Sequence, residues 1–481
     1  MTPRRTRRAP APSSEAEQSD NAEYRQPSDF ASRASRAPSR DRGRPRGTAV
    51  ISGPGRVMAG AGRSPSTQTA TAGLFIGYLV LVFVEYSGLQ NVFPVLKVVR
   101  FSTLLAYGLF AGVVIRVGFG DCFAYRQTKI LLGFLVFTIL SMSWAVVTKR
   151  AFDQIRPMLD YTVFFFVTLS LVDNRKRLDQ LAWVLLAVVV LLVLRNADKL
   201  GSAVRAGAFK AAYFMGDGND FAWGLAVVAP LVLVLATGTR KMLVRTAGIL
   251  GAALCAAGVI GTASRGGSIA FAVAMVVCWL MVSKRKAIGA AVLLVAATAV
   301  LVVAPATYFD RMKTVGSYSK DNSAQSRLQA WGAATRMAMD HPLGVGAGNF
   351  PNAYGRYYMP RGDANRIEWA SGRWLSAHSI YFRVLGEYGF LGLLMLLSLI
   401  ATNVMDNYRM RQHLAGAAPL SQIDAHWPGV LTGSLAAYAV CGIFLGGLGY
   451  PHLFLLSGLT VAARRLTVQS QAGTRGRRAA V

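Results

Sequence analysis

The feature that most constrains this chain is a series of twelve apolar blocks, at about 73–90, 99–117, 129–148, 155–172, 179–195, 219–238, 244–262, 267–283, 287–305, 380–403, 428–447 and 451–463. Most run to about 17–22 residues, the length a helix needs to cross a hydrocarbon core of roughly 30 Å at 1.5 Å per residue. Backbone groups find no water to bond to in lipid, so an isolated spanning segment of this length folds as a helix. Composition agrees. Of 481 residues, 53% are hydrophobic and 16% charged, with mean hydropathy +0.38, against roughly 25% charged in soluble domains. The expectation is an all-α, polytopic integral membrane protein with about 12 transmembrane helices, the last block being short for a full span.

A formal charge of +29 raises the question of nucleic acid, but Lys and Arg sit mainly in the two tails and in short turns between blocks. That pattern serves orientation and anionic headgroups, so anionic membrane lipids are expected partners and nucleic acid is not. Residues 1–72 carry too few large apolar side chains to offset their ordering entropy and read as a disordered basic cytoplasmic tail, with Met58 as an alternative start. No secretory signal precedes Gly73, so the first spanning helix doubles as the insertion signal. With that tail inside, Arg126 and Lys129, Arg175 to Arg177, Arg240 and Lys241, Lys284 to Lys286, and Arg464 with Arg465 all fall on the cytoplasmic side. The membrane domain is then 73–463, followed by a second basic cytoplasmic tail, 464–481. Cys122, Cys255, Cys278 and Cys441 have no CxxC spacing and read as small buried hydrophobes.

On this topology two longer loops face outward, 196–218 and, before the tenth helix, 306–379. Loops of such length are functional or disordered; Trp331, Trp369, Trp374, Tyr354, Tyr357 and Tyr358 argue for order in the second. Asp321, Asn322 and Ser323 can cap a helix near 323–340, on which Leu328, Trp331, Ala334 and Met337 recur at helical spacing, as in an amphipathic interfacial helix. Arg265, in the turn from Thr262 to Gly267, is either a headgroup anchor or a ligand for a buried anion. Arg327 either presents its planar fork to a phosphate or is a solvated charge. His378, where the long loop meets the tenth block, either takes a proton near neutral pH or rests at the interface as amphipathic side chains do. Gly344, Gly346 and Gly348 share the spacing of a dinucleotide fingerprint, but no strand precedes them and that reading is rejected. With no outward Asp/Glu pair, zinc spacing or Ser-His-Asp arrangement, hydrolase and metal-dependent readings gain nothing.

Several motifs follow one another along the chain: Ser264-Arg265-Gly266-Gly267, Asp310-Arg311-Met312-Lys313-Thr314, Ser326-Arg327-Leu328-Gln329-Ala330-Trp331, the segment 342–350, and Ala377-His378-Ser379 followed by Gly386-Glu387-Tyr388-Gly389-Phe390-Leu391-Gly392. Through them the chain from about 73 to 463 resembles the O-antigen ligase and O-antigen polymerase superfamily of bacterial membrane glycosyltransferases. The stretch 310–391 is most similar to the exosortase-associated O-glycosylation ligase subgroup, in which Ser follows the motif His where many O-antigen ligases have Asn.

The resemblance implies transfer of an oligosaccharide or polysaccharide from an undecaprenyl diphosphate-linked donor to a hydroxyl of lipid A core, a growing glycan or a protein. The reaction would take place at the outer, periplasmic face of the bacterial inner membrane. It implies His378 as the group that activates the acceptor hydroxyl and Arg265 and Arg327 as ligands of the diphosphate. Arg205, with Lys210 ahead of the Gly216 to Asp220 stretch, corresponds more loosely to a further arginine. No metal or other cofactor is implied. One base on the acceptor side, with guanidinium groups stabilising the leaving diphosphate, would invert the anomeric carbon. Two other readings stand beside this one. A flippase or transporter of polyprenyl-linked glycan suits twelve helices, although two similar halves are not evident. A non-catalytic partner of a polysaccharide assembly complex is the third.

Overall fold

The computed structural model describes residues 71–200, 209–237, 239–304, 308–309, 322–359, 374–415 and 422–479. Arg205, the Asp310 to Thr314 motif, Asp321, Trp369 and the tail through residue 70 lie outside the described residues, as do the side chains of Asn322 and Ser323. Thirteen helices of fifteen residues or more are described: α1 (Ala72–Ser87), α2 (Phe101–Arg116), α3 (Arg126–Leu140), α4 (Thr148–Leu171), α5 (Arg175–Arg195), α6 (Gly218–Thr237), α7 (Met242–Gly261), α8 (Arg265–Val282), α9 (Lys286–Val303), α10 (Asn322–Asp340), α11 (Ile380–Ala415), α12 (Gln422–Phe444) and α13 (His452–Ala479). Each apolar block falls on one of these, and α10 is the additional, amphipathic one. Six of them, α5, α6, α7, α8, α11 and α12, are long and apolar enough to cross a membrane. The chain is an all-helical, polytopic membrane protein among its described residues.

The bundle is built around α6, which is buried without a break from Phe221 to Val232 and packs against α7, α8 and α12. At the periphery the sign reverses. On α9, Ile288, Val292, Leu294 and Val295 are all more than half exposed, a surface too apolar for water and suited to lipid. All four cysteines are buried and free.

Two elements depart from expectation. On α10 the buried face consists of Ala330, Ala333, Ala334, Met337 and Ala338, whereas Leu328 is 50% exposed. Small side chains win the contact because they let α10 lie close against α11. The longer Leu328 is left on the rim. Helix α11 runs well past the apolar block at 380–403 and kinks at Gly389 (φ 62°, ψ −160°). The cause is a strap: Phe390 N–H donates to the Pro342 carbonyl (3.1 Å), while Val345 and Gly346 donate to the Gly386 and Glu387 carbonyls (2.9 and 3.0 Å). The glycine-rich segment 342–350 thus wraps the kinked helix instead of cradling a nucleotide.

Candidate functional site

His378 occupies a left-handed backbone position (φ 43°) immediately before Ser379, whose carbonyl accepts the first bond of α11 from Arg383 N–H (2.8 Å). A non-glycine residue held at positive φ costs about 1–3 kcal/mol and needs surroundings that enforce it. Here α10 supplies them. Trp331 Nε1 donates to the carbonyl of Ala377 (2.9 Å), and its ring stacks on Phe382 at 4.8 Å and 9°. From the other side the Ser379 hydroxyl donates to the Gly442 carbonyl (3.3 Å). One turn before Trp331 on the same helix, Arg327 lies within electrostatic reach of His378.

The start of α8 repeats this device. Ala263 is also left-handed (φ 50°), and Ser264 caps the helix by accepting from Gly267 N–H (3.3 Å). The Ser264 hydroxyl in turn donates to Asn219 Oδ1 (2.8 Å), which joins the start of α8 to the start of α6. Asp217 caps α6 by accepting from the backbone of Asn219 and Asp220 (2.7 and 2.9 Å). Arg265, the first residue of α8, therefore sits at the positive end of a helix dipole. The end of α12 ties the starts of α8 and α11 together: Phe444 lies against Gly266, and Gly442 and Gly446 lie against the Ile380 side chain and the His378–Ser379 backbone. Three helix N-termini, two arginines and one histidine meet at one end of the bundle.

Electrostatics at that end favour a neutral imidazole. His378 is exposed by surface area, yet its pKa is lowered from the usual value, first by desolvation from the protein beside it and second by the positive charge of Arg327; Asp217 opposes both. Behind the site an ion pair between half-buried Arg383 and buried Glu387 (Nε to Oε1, 3.1 Å) holds several segments. Arg383 also donates to the Gly446 carbonyl (2.8 Å) and to Gln154 of α4 (3.4 Å), and Glu387 accepts from Gly348 N–H (2.9 Å). Among the described residues no group of three or more His, Cys, Asp or Glu comes together.

Residues 250–397 match the family described as O-antigen ligase. That O-antigen ligase segment supports the O-antigen ligase and polymerase superfamily. The matched O-antigen ligase segment contains Arg265, Arg327 and His378, and it supports glycan transfer in the general sense. No curated protein matches the chain. Several residues of the candidate site escaped the sequence reading. Asp217 and Asn219 lie in the Gly216 to Asp220 stretch that correspondence to the family had marked only loosely. The Arg383–Glu387 pair had a legible signal, opposite charges four residues apart on a helix. Gln154 carried none, because its partner is 229 residues away. The Lys210 backbone N–H donates to Asn196 Oδ1 (2.7 Å), while the preceding Phe209 lies against Gly218 at the start of α6.

Proposed function

We propose that the protein transfers a glycan from undecaprenyl diphosphate to a hydroxyl of lipid A core, a growing glycan or a protein, at the periplasmic face of the bacterial inner membrane. The observation that carries this reading is the meeting of His378 with Arg327 beside the N-terminal ends of α6 and α8, the latter opening on Arg265. Helix N-termini and guanidinium groups favour an anion such as a diphosphate. A neutral imidazole next to them can accept a proton at neutral pH.

The acceptor hydroxyl gives its proton to His378 as its oxygen bonds to the anomeric carbon. The bond from that carbon to the diphosphate oxygen breaks, and undecaprenyl diphosphate leaves with the electron pair, its charge held by Arg265 and Arg327. Attack opposite the leaving group inverts the anomeric centre without a metal or cofactor. Arg205 joins the diphosphate ligands in this proposal. Bound diphosphate offsets the charge of Arg327, so His378 becomes a stronger base when donor is present. A Ser at 379, directly after His378, supports the exosortase-associated O-glycosylation subgroup as the nearer reading. Twelve spans, basic tails at 1–72 and 464–481 on the cytoplasmic side, and outward loops at 196–218 and 306–379 complete the reading.

The test replaces the cell's own copy with wild type or His378→Ala at matched membrane expression, then measures surface glycan and the lipid-linked precursor. Loss of a general base lowers rates by roughly 10²–10⁴. The expected result is loss of surface glycan with accumulation of undecaprenyl-linked precursor. Normal glycan with His378→Ala would overturn the role of His378.

A further inference from the structure

Outside the matched segment, α1, α2 and α4 enclose an open cavity of about 690 Å³. Its volume lies within the roughly 300–1,000 Å³ that small-molecule sites occupy, and its walls are unusual for an apolar bundle. Glu85, near the end of apolar α1, accepts from the Tyr161 hydroxyl (2.9 Å) and from Gln90 Nε2 (3.2 Å). No cation stands within ion-pair distance of it among the described residues. Across the cavity Asp160 accepts from the Tyr107 hydroxyl (3.0 Å) and pairs with Arg156 (3.6 Å). A carboxylate kept on an apolar helix without a cation is expensive and marks function more often than packing. Neither carboxylate has a part in the transfer chemistry.

The cavity shares a wall with the site. On α4, Gln154 faces Arg383 and Pro157 faces Gly449, while Asp153, Arg156 and Asp160 face the cavity. Its floor includes Ala212, and Asn91 Nδ2 holds the neighbouring Ala211 carbonyl at 2.7 Å. This mixture is specific in its chemistry. Three carboxylates, Glu85, Asp153 and Asp160, offer spare acceptor positions to hydroxyl donors, the amides of Gln90 and Asn91 offer both donors and acceptors, and the rings of Phe152 and Phe164 offer apolar faces. A phosphate would meet Glu85, Asp153 and Asp160 against Lys97 and an Arg156 already paired with Asp160, and an acyl chain would leave the carboxylates unsatisfied. A polyhydroxylated ring satisfies the whole set.

We propose that this cavity is a sugar-binding subsite, in which Glu85 and Asp160 accept hydrogen bonds from the hydroxyls of a glycan substrate lying across α4 from His378. The proposal rests on the glycan-transfer reading. Donor glycan and acceptor glycan share this chemistry, and kinetics separate them.

The probe is free oligosaccharide released by mild acid from the cell's own surface glycan, titrated onto the full-length protein in lipid nanodiscs. Wild type is expected to bind, Glu85→Gln and Asp160→Asn to bind at least tenfold more weakly, and His378→Ala to bind as wild type does. In transfer assays with extracted lipid-linked donor, Glu85→Gln should raise KM at least tenfold with kcat within about threefold. The substrate whose KM rises is the occupant. Should Glu85→Gln fail to elute as a folded species, Ala106→Phe fills the cavity from α2 and should act in the same direction. Wild-type binding by these folded variants, or no binding by wild type, would overturn the subsite. Unimpaired transfer by His378→Ala would instead sink the catalytic reading and leave the binding result standing.

Discussion

At the residue scale the decisive fact about His378 is the company it keeps. A histidine free in water titrates near 6.5. Desolvation and the Arg327 charge lower that value here, with Asp217 pulling the other way. A lowered pKa leaves the neutral, proton-accepting form present at more acidic pH. The acid limb of kcat/KM is therefore expected to inflect below the ordinary histidine value. Arg327→Gln removes a lowering influence and should move the residual activity's limb to higher pH, whereas Asp217→Asn should move it lower. A limb that ignores both substitutions would detach His378 from proton transfer. The Arg383–Glu387 pair obeys a different rule. Removing one member of a fully buried pair strands the other and costs about 3–5 kcal/mol; with Glu387 at 2% and Arg383 at 23% side-chain exposure, the cost here falls below that range. Arg383→Met should lower the thermal midpoint in detergent markedly, and Glu387→Gln added to it should recover part of the loss.

At the element scale the site depends on how segments with no regular structure are pinned to helices. The glycine-rich strap needs residues without a β-carbon where it crosses α11. Gly344 has φ 82°, and a β-carbon there would overlap the Glu387 backbone. Gly344→Ala should abolish folded protein, measured as monodisperse yield. Gly332, on α10, meets only the end of Arg336 at 3.7 Å, so Gly332→Ala should stabilise by about 0.5–1 kcal/mol. Equal effects at the two positions would contradict the strap. Helix α10 is the other fastener. Its alanine face lets it approach α11, and Trp331 then holds the Ala377 carbonyl next to the catalytic candidate.

At the scale of the whole molecule, orientation is the open expectation that labelling can decide. The four native cysteines are buried, so background reaction with a membrane-impermeant maleimide should be low. Leu343 and Met242 are 49% and 74% exposed. With the basic turns cytoplasmic, Leu343→Cys should label in intact spheroplasts and Met242→Cys only after lysis; the reverse pattern would invert the proposed topology. What the sequence by itself determined is the class of molecule. Apolar blocks of spanning length leave the backbone no alternative to helix in lipid, and the ordered motifs around Arg265, Arg327 and His378 were enough to mark the family. Tertiary structure alone decided which face of α10 is buried, how the glycine segment is used, and that Asp217, Trp331, Gln154 and Arg383 belong to the site. Those outcomes rest on contacts between residues tens to hundreds of positions apart, such as Gln154 with Arg383. Local spacing records the periodicity of one helix but not the neighbour against which that helix comes to rest.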